Sequence, residues 1–409
     1  MFDLVIVGAG AAGISAAREA SRRGLTFTIV EASERAGGRT QSAAWRGYHL
    51  DLGAGWLHSA NRNPLVALAE QSELRIDRLP AAWRGQYRDL GFSNEERDAA
   101  YEAFSSFNEQ VSRPQEGDIA ARALAPDGAW NAFINALSGY LNGTSLKNLS
   151  AEDYAAYWNA SSEFNWRLPS GYGSLIAMLA RSLPIDHAFS VGQIDWDGKH
   201  VRVSSDRGCV IAKRAIVTVS TAVLASGAIR FLPSLDDHLD AAAKLPLGHV
   251  EKIFFSLRSA EEFPSDAHLI GNPRSDATGS YTLRPMGMPV LEAFFGGDWV
   301  SGSSLQDMES FAREELCRLL GSEFGRKIER ILQSDWKDDA LFGGSYSFAR
   351  PGQHAARARL AIPVDDRIAF AGEACSSEDY STVHGAWESG IAALTNLLKG
   401  STRMMDVAG

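Results

Sequence analysis

Gly8-Ala9-Gly10-Ala11-Ala12-Gly13 is the stretch on which the interpretation of this fold depends. An apolar run at residues 2–7 comes directly before it and predicts a buried strand. Residues 11–24 place Ala, Ile and Leu at helical spacing, and residues 26–30 predict a second strand. The glycine-rich stretch therefore joins a strand to a helix inside a β-α-β unit, which is the context that a dinucleotide-binding fingerprint requires.

Each glycine of this fingerprint has its own physical role. Gly8 permits the tight turn, Gly10 lets the backbone approach a pyrophosphate, and Gly13 lets helix and strand pack closely. The helix begins at Ala11, where free N–H groups and partial positive charge favour phosphates. Glu31 ends the second strand, where its carboxylate can accept hydrogen bonds from ribose hydroxyls. A glycine-rich turn without a ligand is the alternative, and the combination of signals argues against it.

A second glycine pair distinguishes between the two common dinucleotides. Gly37-Gly38-Arg39-Thr40 follows the ribose-binding acid at once, and Gly38 again brings backbone close to the cofactor. Arg39 can reach a phosphate or the flavin side through a charge-assisted hydrogen bond worth about 1.5–3 kcal/mol. NAD sites do not usually carry a second Gly-Gly-Arg segment of this kind. The sequence therefore predicts FAD, with an exposed turn and a solvated arginine as the alternative.

The length and charge of the chain limit its class. Its 409 residues suffice for two packed units, and 45% hydrophobic with 22% charged residues is typical of a soluble globular protein. The net charge of −10 argues against a surface that neutralises phosphates, so we expect no nucleic-acid partner. No apolar run reaches the length of a membrane span, and we expect no signal peptide before the first strand, because Asp3 interrupts the apolar run.

The cysteines indicate a reducing compartment. Cys209, Cys317 and Cys375 are far apart, odd in number and not at metal-ligand spacing. We therefore expect no disulfide framework, no metal site and a cytoplasmic location.

The pattern along the chain predicts an α/β protein (α+β overall). Further elements are predicted as helices at 64–74, 94–112 (with Asn94 as its cap), 174–182, 304–320 and 384–398, a β-meander at 188–194, 200–204 and 209–219, and strands at 249–257, 289–296 and 367–372. Segments related to the nucleotide lie at both ends and in the middle. We expect a Rossmann-like FAD-binding domain of residues 1–78, 186–246 and 341–409. Residues 79–185 and 247–340 form an inserted substrate domain of mixed sheet and helices.

An ordered set of motifs carries a family resemblance. After the fingerprint come Asp51-Leu52-Gly53-Ala54-Gly55-Trp56-Leu57-His58, Leu247-Gly248-His249-Val250-Glu251-Lys252, Trp336 ahead of Gly343-Gly344-Ser345-Tyr346-Ser347, and Phe370-Ala371-Gly372-Glu373 leading to His384-Gly385-Ala386. In this order they resemble the flavin amine oxidase family, which includes monoamine oxidases, polyamine oxidases and lysine-specific histone demethylases. Any one motif is weak, whereas the ordered set is highly specific.

The resemblance implies both an architecture and a reaction. FAD lies extended in the first domain, and a small amine reaches its ring from the second. Hydride leaves the carbon next to a neutral amine, so no general base is needed, and the resulting imine hydrolyses to a carbonyl product. Oxygen then reoxidises the flavin and gives hydrogen peroxide.

Lys252 is the first residue to which the resemblance assigns a catalytic role. In a strand, Val250, Lys252 and Phe254 share one face, but Glu251 also lies between apolar neighbours. Periodicity alone therefore leaves the burial of Lys252 open. By resemblance, Lys252 hydrogen-bonds through water to the central nitrogen of the flavin.

The resemblance also predicts half of an aromatic cage. Tyr346 corresponds to one wall that orients the substrate amine, and Thr382 falls at the opposite wall. Monoamine oxidases carry a second aromatic residue there, whereas the histone demethylases resemble this chain in carrying threonine. An amine held against one tyrosine still gains about 0.5–2 kcal/mol of cation–π attraction. Core packing beside the glycine turn is the alternative for Tyr346.

Ser345 bears on how the cofactor is held. It occupies the position where monoamine oxidases attach FAD through a cysteine thioether, which serine cannot form. We therefore expect non-covalent FAD. Cys375 lies nearby but off the motif, and we interpret it as structural.

The remaining expected cofactor contacts are spread over the chain. Glu373, after Gly372, matches the acid that holds the ribityl or pyrophosphate region, and the helix from Thr382 and Val383 would face the flavin pyrimidine. The other residues implied by the resemblance are Gly55, Trp56, Val191 (through its backbone, at adenine) and Trp336. His58 is a candidate contact for a second amine of the substrate, although a packed histidine is more common. Core packing explains Trp336 equally well.

Three other functions stay open at this point. A related dehydrogenase or desaturase would use another electron acceptor, and a flavoprotein scaffold would not catalyse. An amino acid oxidase is disfavoured because no arginine directly follows Gly53-Ala54-Gly55, although Arg62 lies close. The amine itself and the oligomeric state are not determined, with a homodimer as one option.

Overall fold

A computed structural model describes residues 1–405, with side chains through residue 399. The strands are β1 (Phe2–Val7), β2 (Phe27–Val30), β3 (Ser42–Trp45), β4 (Tyr48–Asp51), β5 (Ile185–Asp186), β6 (Gln193–Asp195), β7 (Val201–Ser205), β8 (Gly208–Val217), β9 (Arg230–Leu232), β10 (Val250–Leu257), β11 (Ala267–Ile270), β12 (Ser280–Leu283), β13 (Val290–Gly296), β14 (Ile328–Gln333) and β15 (Ile368–Phe370). The helices are α1 (Ala11–Arg22), α2 (Pro64–Gln71), α3 (Asn94–Val111), α4 (Asn131–Asn142), α5 (Ala151–Ala160), α6 (Tyr172–Ala180), α7 (Thr221–Ala225), α8 (Asp236–Ala243), α9 (Asp298–Ser301), α10 (Leu305–Leu320), α11 (Ala356–Leu360) and α12 (Val383–Met405).

The first sheet is built around the predicted β-α-β unit. Its order is β5-β2-β1-β8-β7-β6-β9, with β15 also paired to β8. Strands β2, β1, β8 and β15 run parallel, as βαβ crossovers require, and their apolar side chains are buried. The order places the C-terminal strand β15 beside the N-terminal unit, so both ends of the chain contribute to one sheet.

The predicted β-meander is present, but its first strand is shorter than expected. Strands β6, β7 and β8 pair antiparallel in sequence order. Residues 188–192, predicted as strand, lie outside β6, and the first two of them bond to another segment. Ala188 N donates to Ser33 O at 3.2 Å and Phe189 N to Glu31 O at 2.8 Å, at the end of β2. This pairing between distant segments overrides the alternating pattern.

The second sheet is antiparallel and has the order β11-β12-β13-β10-β14. Helix α10 packs against one face through a core that includes Phe255, Phe295 and Leu316. Strand β10 lies between β13 and β14, so both of its edges are hydrogen-bonded to neighbouring strands. Its side chains are buried along nearly its whole length, so both of its faces are packed and the adjacent Glu251 and Lys252 are buried on opposite faces.

Helix α3 corrects one expectation at its N-terminus. The capping residue is Ser93, one position before the predicted Asn94. Ser93 Oγ accepts from Glu96 N at 3.2 Å, and Glu96 Oε2 accepts from Ser93 N at 3.1 Å. This reciprocal capping box satisfies two donors, whereas Asn94 alone would satisfy one.

The closing helix packs directly on the first helix. A Cβ added at Gly390 of α12 would lie 2.1 Å from Ala12 O, so only glycine allows this crossing. Ser15 Oγ donates to Trp387 O at 2.7 Å and links the same two helices. Helix α12 thereby covers the face of the β-α-β unit.

The expected domain boundary at 185/186 falls inside strand β5, which pairs with β2. Helix α6, expected in the substrate domain, packs in one hydrophobic cluster with Ile14 and Leu65. The division into two domains stays a prediction. Through residue 405, no helix combines the length and apolar character needed to cross a membrane.

Candidate active site

The fingerprint turn has the geometry that its glycines predict. Gly8 has φ +104°, and a Cβ there would lie 2.5 Å from Thr218 Oγ1. A Cβ at Gly13 would lie 2.0 Å from Gly8 O. Any larger residue at either position would therefore displace β8 or separate helix α1 from β1.

The second glycine turn docks on the first. Gly37 N donates to Ala9 O at 2.8 Å, and a Cβ at Gly38 would lie 3.2 Å from Gly10 Cα. Gly10 precedes helix α1 and provides no side-chain cap for its N–H groups. Two open backbone turns at an uncapped helix N-terminus form a cradle that fits a dinucleotide pyrophosphate.

Glu31 lies at the edge of this cradle. Its Oε2 accepts from Ala9 N at 2.6 Å, and its Oε1 accepts from Ser33 N at 2.8 Å. The two hydrogen bonds hold the carboxylate beside the fingerprint turn. The ribose contact of Glu31 stays a prediction.

Arg39 and Glu373, predicted from opposite ends of the chain, form an ion pair. Arg39 Nη1 lies 3.0 Å from Glu373 Oε1 and donates to Ser345 O at 2.6 Å. Burial opposes ionisation of Glu373, but Arg39 and Arg357 outweigh it and hold the pKa of this carboxyl below its ordinary value. The pair lines a cleft together with Gly372, where a Cβ would meet no atom within 4 Å.

Thr382 caps the closing helix. Its Oγ1 accepts from Gly385 N at 3.0 Å and donates to Asp379 O at 2.6 Å. Helix α12 therefore starts at Val383 with its N-terminus at the predicted site. The hydroxyl of Thr382 is engaged in capping, and its role as a cage wall stays a prediction.

Tyr346 is held by its hydroxyl group. The OH donates to the carbonyl of Tyr140 in α4. Burial raises the pKa of Tyr346 well above its ordinary value, so the phenol stays neutral. Ser345, next to it, donates its Oγ to Gly248 O at 2.8 Å.

Lys252 is buried, which resolves the ambiguity of the strand pattern. Its side chain is 9% exposed, and Nζ donates to Asp51 O at 2.9 Å and lies 3.2 Å from Glu292 Oε1. Gly55 lies beside this ammonium group, because a Cβ there would be 3.4 Å from Lys252 Nζ. Neither Asp51 nor Glu292 was predicted as a site residue, since contacts between distant strands leave no signal in local spacing.

Glu251 is buried on the opposite face and organises the segment that carries Trp336. Its Oε1 accepts from Lys337 N at 3.0 Å, and Ser334 Oγ donates to its Oε2. Burial raises the pKa of Glu251 to about 7. Trp336 in turn donates from Nε1 to Leu52 O at 3.1 Å.

Trp56 and His58 lie in an aromatic cluster. Trp56 meets Trp83 edge to face at 4.6 Å, and the Arg167 guanidinium lies 4.8 Å from the Trp56 ring centre. His58 Nδ1 lies 2.7 Å from Asn165 Oδ1, and burial lowers the pKa of His58 to about 4. His58 is therefore neutral at physiological pH.

Three further residues are placed by the structure. Val191 is buried in the core of the first sheet, and its contact with adenine stays a prediction. Arg62 is paired with Asp379 at 2.7 Å, so it is not free to clamp a substrate carboxylate. Burial raises the pKa of the Cys375 thiol to about 12, which agrees with a structural residue.

In the described part of the chain, no cluster of three or more His, Cys, Asp or Glu could hold a metal.

Comparison with known proteins agrees with this geometry. A family model described as flavin containing amine oxidoreductase matches residues 11–398. Polyamine oxidase 5 of Oryza sativa subsp. japonica is 28% identical, over 96% of this chain and 86% of that protein. Lysine-specific histone demethylase 1 homolog 1 of Arabidopsis thaliana is 26% identical, over 98% of this chain and 52% of that protein.

The solved structures show the same fold. Wild-type putrescine oxidase bound to putrescine superposes with a TM-score of 0.80 at 18% identity. The match covers 97% of this chain and 99% of the other. The predicted α/β fold class and the predicted family resemblance are both confirmed.

Proposed function

Since the chain belongs to the flavin containing amine oxidoreductases, we propose that it oxidises small amines with non-covalently bound FAD and passes the electrons to oxygen. Family membership establishes a flavin and an oxidoreductase acting on amines. The proposal adds the identity of the flavin, its mode of binding, the acceptor and the substrate class. We propose diamines or polyamines as substrates, because polyamine oxidases are among the relatives.

The close packing of two glycine-rich turns, residues 8–13 and 37–40, supports the FAD proposal. Gly38 packs against Gly10 and leaves the backbone at the start of α1 accessible, and Arg39 extends from the second turn to Glu373. A dinucleotide lying across this line would reach from Glu31 to the N-terminus of α12. FMN would leave the ribose end of the cradle without a ligand.

The residues around the site suit amine chemistry. When bound, the flavin supplies the acceptor for a hydride from the carbon next to the amine nitrogen. Tyr346 offers a ring against which an amine is oriented, with about 0.5–2 kcal/mol of cation–π attraction before the amine loses its proton. Neutral His58 can accept a hydrogen bond from a second ammonium group. The N-terminus of α12 favours negative charge by about 0.3–2 kcal/mol.

Non-covalent binding is supported by Ser345, whose hydroxyl bonds to the protein backbone. Acid precipitation of the purified holoprotein tests this point. We expect the yellow colour in the supernatant and FAD, not FMN, by chromatography. Colour that stays with the pellet would overturn non-covalent binding.

The function itself is tested by anaerobic addition of an amine panel. Putrescine, spermidine, benzylamine and amino acids are mixed with the yellow holoprotein, and flavin absorbance is followed. We expect bleaching by a diamine or polyamine, a rate that rises with pH as the amine deprotonates, and peroxide when air is admitted. Bleaching without rapid recovery in air indicates a dehydrogenase, and a spectrum indifferent to every amine contradicts the enzyme proposal.

The compartment is also a proposal. The three cysteines are all free, which suits a reducing cytoplasm. A homodimer stays a prediction. Fractionation of cells that express the natural protein, followed by immunodetection, tests the cytoplasmic location.

A further inference from the structure

Glu292 is a charged residue that no motif identifies, yet it lies beside Lys252. In the antiparallel register, Lys252 faces Phe294 and Phe254 faces Glu292. Cross-strand partners share a face of the sheet, so Glu292 is a diagonal neighbour of Lys252. The two side chains therefore meet on the face that also carries Phe254 and Phe294.

The contact is an ion pair inside the protein. Lys252 Nζ lies 3.2 Å from Glu292 Oε1, and the two side chains are 9% and 23% exposed. The same nitrogen donates to Asp51 O at 2.9 Å and lies 5.8 Å from the Phe294 ring centre. An ammonium has three N–H donors, and these two oxygens engage two of them.

Other ionisable groups face Lys252 from the neighbouring elements. At the end of β4, burial raises the pKa of the Asp51 carboxyl to about 6, so it is charged at alkaline pH. In the following loop, His58 is neutral because burial lowers its pKa to about 4. Just after β14, Ser334 Oγ accepts from Lys252 N and adds no charge. Among the described residues, Glu292 is the carboxylate within ion-pair distance of Lys252 Nζ, and the more distant Asp51 carboxyl adds a second negative charge at alkaline pH.

We propose that Glu292 is a positioning residue that keeps Lys252 in its charged form and restrains its side chain. A buried ammonium without a carboxylate partner favours the neutral amine, because desolvation penalises the charge. A neutral amine has only two N–H donors, both already directed to protein oxygens in this arrangement. The charged form retains a third N–H, which can serve a water or the cofactor. This inference rests on the proposed function, in which Lys252 acts near the flavin.

The direct test observes Lys252 itself in the holoprotein. The chain has eight lysines, so side-chain ¹⁵N-lysine NMR is tractable, and loss of one signal in Lys252→Met assigns it. We expect the ammonium signal of Lys252 in Glu292→Gln to disappear at a pH about one unit or more below that of the wild type, a tenfold change in the ammonium population.

Glu329→Gln is the matched control, because Glu329 is an exposed carboxylate on β14 of the same sheet. It should leave the Lys252 signal unchanged. Glu292→Asp should restore the wild-type behaviour at least in part, which separates a charge effect from a folding defect. A Lys252 signal that titrates identically in wild type and Glu292→Gln would overturn the proposal.

Stopped-flow kinetics provides the second measurement. If amines bleach the flavin, one kinetic phase should be slowed by Lys252→Met. The rate of that phase should depend on pH in both proteins, with the change about one unit lower in Glu292→Gln than in the wild type. Bleaching with identical pH profiles in both proteins contradicts the positioning role. Failure of the wild type to bleach contradicts the proposed function instead, and the NMR titration still decides on the ion pair.

Discussion

At the scale of the residue, strand β10 buries two adjacent charged side chains on opposite faces. Glu251 and Lys252 are 0% and 7% exposed. Each is compensated by partners from other elements, Glu251 by the 334–337 segment and Lys252 by Asp51 and Glu292. Burying a charged group is costly unless partners compensate it. Two neighbouring buried charged residues in one strand therefore indicate a functional site rather than a solvated surface.

Replacing Lys252 by methionine tests its catalytic role. We expect flavin reduction or reoxidation to slow by about 10- to 100-fold, because one charge-assisted hydrogen bond of about 1.5–3 kcal/mol is lost. FAD should be retained, since the cradle is formed by other residues. Stopped-flow traces in both half-reactions measure the effect, with Lys327→Met, an ion-paired lysine of the same sheet region, as the control. Traces like those of the wild type would contradict the assignment.

Glu251 should make stability depend on pH. Burial raises the pKa of its carboxyl from 4.5 to about 7, so the folded state binds the proton more tightly than the unfolded state. The free energy of unfolding therefore falls as pH rises through this window. Glutamine does not titrate, so Glu251→Gln should lose this dependence.

Urea unfolding at pH 5 and pH 8 measures the Glu251 effect. Relative to Glu251→Gln, the wild type should lose on the order of 2–3 kcal/mol between the two pH values. Asp51 and His58 titrate in both proteins, so their contributions cancel in the difference. A stability difference that is the same at both pH values would show that Glu251 is not held with a raised pKa.

At the scale of the element, the crossing of α1 and α12 determines whether the cradle forms. The backbone of α12 approaches Ala12 so closely at Gly390 that a methyl group has no room. The N-terminus of α1 forms part of the cradle, and the family resemblance implies that the N-terminus of α12 faces the flavin. Their relative position depends on Gly390, where α12 meets the first turns of α1.

Gly390→Ala should therefore weaken both folding and cofactor binding. The added carbon would lie 2.1 Å from Ala12 O and 2.2 Å from Ser15 Oγ, so the helices must separate. We expect a loss of about 1–3 kcal/mol or more in the free energy of unfolding and a higher Kd for FAD. Gly198→Ala is the matched control, because a Cβ there meets no atom within 4 Å. Unchanged unfolding and FAD titration curves would show that the helices absorb the methyl group.

At the scale of the whole molecule, a buried charge network joins distant segments. Arg357 in α11 donates from Nε to Asp153 Oδ1 at 2.6 Å and from Nη1 to Ser347 Oγ at 2.9 Å. Ser347 Oγ in turn donates to Glu373, which is paired with Arg39. Helices α5 and α11, the loop at residues 343–347 and the segments that follow β2 and β15 are thereby held together.

Arg357→Met should destabilise the whole protein. It leaves the buried Asp153 without its arginine partner and, among the described residues, with only His354 as an ion-pair partner, which costs about 3–5 kcal/mol. The double variant Asp153→Leu/Arg357→Met removes both charges and should recover part of this loss. Urea unfolding of both variants measures the difference. Equal destabilisation by the single and double variants would mean that lost packing, not an unpaired charge, is responsible.

The sequence was sufficient for much of the fold and for the general position of the site. The β-α-β unit, the meander and the closing helix follow from local periodicity and turn residues, and the structure places them close to the expected bounds. The cap of α3 was missed by one residue because both Ser93 and Asn94 are good caps, and only the reciprocal bond to Glu96 distinguishes them. The strand predicted at 188–194 begins only at Gln193, because Ala188 and Phe189 bond to the segment that follows β2.

The sequence by itself determined the glycine-rich turn at residues 8–13, the order of the motifs and hence the family, because these signals lie within short stretches whose spacing has a direct physical meaning. Only the tertiary structure decided that Lys252 is paired with Glu292 and that Arg39 meets Glu373, 334 positions away. Such contacts depend on which strands pair and how helices cross. Those choices result from the packing of the whole chain, and no local pattern encodes them.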